Sequence, residues 1–128
     1  MTLDILSGSY AICRLAAASP LPPWAAGGAF SSIVRTPHEL SIVCASGEVP
    51  EDVQAERGYR GLVVRGPLDF GLVGIVAALS AVLASASISV FVVSTYDTDY
   101  LLVRARDLDR ALVALRDAGH TVLSTPER

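Results

Sequence analysis

No charged residue occurs between Phe70 and Tyr96. A stretch this long without charge has to be buried, either in lipid or in a protein core. Its internal period separates the two cases. Up to about Ala86 the apolar residues Leu72, Ile75, Val76, Leu79, Val82 and Leu83 recur at helical spacing, and from Ser89 the run Ser-Val-Phe-Val-Val-Ser-Thr95 reads as a strand. Ser80, Ser85, Ser87, Ser89 and Ser94 interrupt it. A buried helix followed by a buried strand is expected, and no membrane-spanning segment. Asp69 stands where a helix N-cap would. No basic segment followed by an apolar core opens the chain, so no secretion signal is expected.

The elements around this run follow from the same reasoning. Leu62–Arg65 reads as a strand that enters the helix through Gly66-Pro67. Asp97-Thr98 makes a turn, Tyr100–Arg104 pairs back on the preceding strand, and a second helix runs from Asp107 to a C′ glycine at Gly119. His120–Ser124 is the last strand. The order β-α-β-β-α-β predicts an α+β, ferredoxin-like unit, with antiparallel strands and both helices on one face.

The first half looks like a reduced copy of the second. Met1–Ser7 reads as a lead, Tyr10–Leu15, Phe30–Arg35 and Leu40–Ala45 as strands, and Pro50–Glu56 as a brief helix. Pro20, Pro22 and Pro23 forbid a long helix ahead of Phe30 and leave room for one short turn anchored by Trp24. Shifted by about 59 positions, Thr36 falls on Thr95, Ile42 on Leu101, Glu48 on Asp107 and Val63 on Val122. The expected division is residues 1–61 as a degenerate N-terminal half and 62–128 as a complete C-terminal half.

Composition limits the function. The 128 residues are 52% hydrophobic and 18% charged, with a formal net charge of −3. The basic residues are scattered, which argues against nucleic acid. Cys13 and Cys44 lie in apolar runs and read as buried reduced thiols of a cytoplasmic protein. His38 and His120 are far apart, so neither a metal nor a cofactor is expected. Asp97 and Asp99 form an acidic pair with no nucleophile or metal beside it, so no catalytic residue is assigned and the chain is not expected to be an enzyme. A binding site is more plausible: backbone N–H groups at the first helix would receive a carboxylate, and Asp69, Asp97 and Asp99 a cation. Gly74, Ala78, Ala81 and Ser85 form a stripe of small residues that would suit a homodimer or a partner protein, which leaves a ligand-free interaction module as the alternative reading.

The runs Gly66-Pro-Leu-Asp-Phe-Gly-Leu-Val-Gly-Ile-Val76 and Ser94-Thr-Tyr-Asp-Thr-Asp-Tyr-Leu-Leu-Val103, with Phe30-Ser-Ser-Ile-Val-Arg-Thr-Pro-His-Glu-Leu-Ser-Ile-Val43, resemble the ACT-domain family, near the CASTOR arginine sensors and the regulatory domains of aspartate kinases. The resemblance implies tandem ACT-like modules, an amino-acid ligand bound at an interface between domains, and a regulatory role without catalysis. It carries ligand binding onto Asp69, Leu72, Val73, Gly74, Thr95, Tyr96 and Asp99. Asp99 would face a ligand's basic end and Gly74 would admit the ligand's backbone. Leu72 and Val73 stand where the sensors place an acidic residue, so arginine itself is not implied.

Overall fold

The computed structural model describes residues 1–66, 68–69 and 73–124. Among the described residues there are eight strands: β1 (Thr2–Ile5), β2 (Tyr10–Leu15), β3 (Ser32–Arg35), β4 (Leu40–Ala45), β5 (Ala55–Val64), β6 (Phe91–Ser94), β7 (Asp99–Arg104) and β8 (Thr121–Ser124). The two α-helices are α1 (Ile75–Ser85) and α2 (Leu108–Asp117). The chain divides into two compact units. One comprises Gly8–Tyr59, and the other Met1–Ser7 with the chain from Arg60 onward. The first is inserted into the second between β1 and β5, and we call them the inserted and the helical unit.

The helical unit is a mixed α+β, ferredoxin-like layer. Its strands run in the order β8-β1-β5-β7-β6. Alternate residues point to one face, which sets Leu3 and Ile5 of β1, Leu62 and Val64 of β5, Leu101 and Val103 of β7 and Val122 of β8 in one cluster. Leu79 and Leu83 of α1 and Ala111 and Leu115 of α2 cover that face, so both helices lie on one side of the sheet. The uncharged stretch from Phe70 is thereby divided between an eleven-residue helix and a four-residue strand. Among the described residues no helix is long and apolar enough to cross a membrane.

Met1–Ser7 is not a lead. β1 lies between the first and last strands of the βαββαβ unit, antiparallel to β5 (Leu3 opposite Val64) and parallel to β8 (Leu3 opposite Val122). Among the described residues the sheet of this unit therefore has five strands, with β1 and β8 paired in parallel. The Thr-Leu-Asp-Ile alternation of β1 is only four residues long. That is too short to separate a strand from a tail by period alone.

The helix boundaries also differ from expectation. α1 begins at Ile75 and its N-cap is Gly74, in the left-handed region at φ 81°, so Asp69 does not cap it. Glycine is required there because a side chain in that backbone region is strained. α2 follows Asp107 and a 3-10 turn, and the Asp107 carboxylate accepts from Arg110 at 2.8 Å instead of capping a backbone N–H. Arg110 also donates to the Ala86 carbonyl at 2.7 Å, which ties the end of α1 to the start of α2. Both helices close alike: Ile88 N–H donates to Leu83, and His120 N–H to Leu115, each across five residues. Gly119 turns the second closure as expected, whereas Ser87 turns the first at φ 61°.

The inserted unit has the strand order β3-β4-β2-β5. Its core joins Ala11, Cys13, Leu40, Ile42, Cys44 and Ala25, with Trp24 packed against them. The proline segment forms the expected short turn, a 3-10 helix at Pro23–Ala26. Pro50–Glu56 is not a helix: it turns, and β5 starts at Ala55. Cys13 and Cys44 are buried free thiols. Burial, then Cys13 beside it and Glu48, push the Cys44 thiol up to about 11, so it is inert as a nucleophile at neutral pH. β5 serves both units in sequence: Ala55–Tyr59 pairs with β2 and Leu62–Val64 with β1.

Leu3 is fully buried, so its truncation tests the place of β1 directly. Leu3→Ala should cost about 2–5 kcal/mol in urea unfolding; a loss of a few tenths would mean that β1 is a surface tail.

Candidate functional site

The β6–β7 turn and the start of α1 enclose a depression of about 330 Å³ on the helical unit. Local hydrogen bonding makes the turn rigid. Thr95 N–H donates to the Thr98 carbonyl at 2.8 Å, and the Thr95 hydroxyl accepts from Thr98 N–H at 3.2 Å. The turn is then fixed to the exit of β5. Leu68 N–H donates to the Asp97 carbonyl at 2.7 Å, and the Thr98 hydroxyl donates to the Val64 carbonyl. This approach requires Gly66. A Cβ there would stand 3.0 Å from the Leu68 nitrogen and 3.1 Å from the Asp97 oxygen.

Two kinds of polar group reach the depression. On one side lie Ile75, Val76 and Ala77. The first bond of the helical ladder runs from Ala78 N–H to the Gly74 carbonyl at 2.8 Å, so the N–H groups of these three residues precede the ladder and carry the positive end of the helix dipole. Asp69, Asp97 and Asp99, three acidic residues, line the same depression. Ser94 and Asp99 pair across β6 and β7, and the Ser94 hydroxyl donates to the Asp99 carboxylate at 2.6 Å. That bond holds the carboxylate in one place. Tyr96 stands on the rim, 82% exposed. Among the described residues no lysine, arginine or histidine lines the depression.

Of the residues expected at the site, Asp69, Gly74, Thr95, Tyr96 and Asp99 surround this one depression. Val73 does not join them; it is 90% exposed, because the chain turns at Gly74 before the helix begins. Leu72 lies outside the described residues. Gly74 contributes through its backbone conformation, as the residue that starts α1. Sequence reasoning missed Ser94 and Gly66. Ser94 could have been found from strand pairing, since it lies one residue before the Thr95–Thr98 turn and so opposite Asp99. The need for glycine at 66 arises only when the turn packs on it. Among the described residues no group of three or more His, Cys, Asp or Glu is placed to hold a metal ion.

The family model for the ACT domain matches residues 54–117, and a model for an N-terminal domain matches residues 8–52. No curated protein matches the chain. Among solved structures, a protein of Agobacterium tumefaciens is 44% identical over 99% of this chain and 95% of its own, with a TM-score of 0.93. The regulatory subunit of aspartate kinase from Thermus thermophilus is 11% identical over 88% of this chain and 93% of its own, with a TM-score of 0.56. The aspartate kinase of Clostridium acetobutylicum is 10% identical, with a TM-score of 0.66 over 91% of this chain and 34% of its own. The last two share the fold.

Gly66→Ala should loosen the turn from the strand exit. The expected cost is about 1–3 kcal/mol, read as a lower urea midpoint with hydrogen exchange at Leu68 and Thr98 accelerated more than in the centre of β7; an unchanged midpoint would show that the approach is slack.

Proposed function

Because the chain belongs to the ACT-domain family, we propose that it is a regulatory binding module whose ligand is a free amino acid held in the depression between the β6–β7 turn and α1. The observation that carries the reading is the juxtaposition of a helix start with acidic residues, one of them the Asp99 carboxylate that Ser94 holds, in one depression. A zwitterion needs both kinds of partner within the length of one amino acid. Its carboxylate suits the N–H groups of Ile75, Val76 and Ala77. Its ammonium suits Asp69 or the Asp99 carboxylate that Ser94 orients. Regulatory subunits of aspartate kinase share the fold, which supports a regulatory role for this chain and not a catalytic one. The two buried thiols suit a cytoplasmic protein. The assignment of Asp69, Gly74, Thr95, Tyr96 and Asp99 as ligand residues, of Leu72 and Val73 as the further positions the family pattern carries over, and of the two units as tandem ACT-like halves, with Met1–Ser7 counted in the C-terminal half and not in the N-terminal one, belongs to this proposal.

The test is calorimetric titration with each proteinogenic L-amino acid. At least one should bind, and Asp99→Ala should weaken it by about tenfold or more, the worth of one charge-assisted hydrogen bond. A flat response across the whole set sinks the reading.

A second reading has its own observation. Gly74, Ala78, Ala81 and Ser85 are all exposed, and α1 carries no charge. Their spacing of four, three and four reads the same in both directions, so an antiparallel copy of α1 about a twofold axis would lay the stripe on itself. On this reading the chain is a homodimer through α1. Ala78→Glu should then halve the mass seen by light scattering, and an unchanged mass counts against it.

A further inference from the structure

The inserted unit contains a counterpart of the candidate site, built from different side chains. A shift of 59 positions lays Ser32–Arg35 on Phe91–Ser94 and Leu40–Ala45 on Asp99–Arg104. The turns between these strands are the same device. Thr36 N–H donates to the Glu39 carbonyl at 2.9 Å, and the Thr36 hydroxyl accepts from Glu39 N–H at 3.1 Å. Thr95 makes the matching pair of bonds with Thr98. In both units the third residue of this segment offers its carbonyl to an earlier part of the chain: the Asp97 carbonyl accepts from Leu68 N–H, in the segment that leaves β5, and the His38 carbonyl accepts from the guanidinium of Arg14, near the end of β2, at 3.0 Å.

The ligand-facing positions have been replaced. Leu40 stands where Asp99 stands, fully buried and part of the inserted unit's core. The carboxylate is gone and its place is filled with packed hydrocarbon. Arg35 stands where Ser94 stands, and its guanidinium donates to the Ala17 carbonyl on the segment that leaves β2. This side chain straps the hairpin to that segment. The helix donors are also fewer. The 3-10 turn at Pro23–Ala26 follows Pro22, prolines have no N–H, and Ala25 N–H is spent on the Pro22 carbonyl at 3.1 Å.

We infer that the chain binds one amino acid per copy, in the helical unit alone, and that the matching place in the inserted unit is closed by Leu40 and Arg35. The inference rests on the reading of the depression given above. It assigns the two units different work: one carries the ligand and the other is scaffold.

The experiment is the stoichiometry of binding to the full chain, with each proteinogenic L-amino acid as the probe, for the native sequence, Asp99→Ala and Arg35→Ser. One ligand per chain is expected. Asp99→Ala should weaken or abolish it, and Arg35→Ser should leave stoichiometry at one and affinity within about twofold, because Leu40 still fills the place. Two ligands per chain in the native protein, with one surviving Asp99→Ala, overturns the closure and leaves the depression reading intact. A second ligand gained in Arg35→Ser likewise overturns closure by Leu40. No binding by any amino acid overturns both readings. The native stoichiometry decides the matter even if either variant fails to fold.

Discussion

An uncharged helix is unstable in water unless something covers it, and the arrangement of the helical unit follows from covering α1. Leu79 and Leu83 are its two fully buried side chains, and they meet Leu62, Val64, Leu101 and Val103 on the sheet. Setting a helix down on a central strand pair fixes where its N-terminus points. Here it points at the β6–β7 turn. The candidate site is thus a consequence of core packing: the helix is oriented by apolar burial, and its polar end meets the carboxylates that the hairpin carries.

β1 belongs to the same constraint. The central strand β5 needs partners on both edges, and the edge away from β7 is taken by β1, with β8 beyond it. A strand at the beginning of the chain thereby completes a sheet whose other members begin at β5, and Gly8–Tyr59 becomes an insertion. The inserted unit can lose its first helix because it carries no such uncharged helix to bury. Trp24 and Ala25, brought in by a turn that prolines permit, close its core instead.

Much of this was legible in the residues. The change of period after Ala86 located α1 and β6. The Asp-Thr turn located the hairpin, and Gly119 the end of α2. Five of the seven expected site residues reached one depression because hairpin and helix start are each local features. Three things were not legible. The helix start at Gly74 looked like Asp69, because a good capping residue in sequence is common and its use depends on the path of the chain after it. The strand β1 looked like a lead, because four alternating residues carry little periodic signal. The need for a bare Gly66 arises only where the turn packs on it.

The sequence by itself determined the kinds of element, their order, the match between the two hairpins, and the residue types available to a ligand. These are encoded in spacing and in side-chain chemistry, which act over a few residues. The tertiary structure alone decided that β1 separates β5 from β8, that Gly66 must be bare so the turn can pack on the strand exit, and that Asp99 is open to a depression while Leu40, in the same place on the other hairpin, is sealed in a core. Those outcomes depend on which surfaces compete for burial, and that competition is settled between segments far apart in the chain.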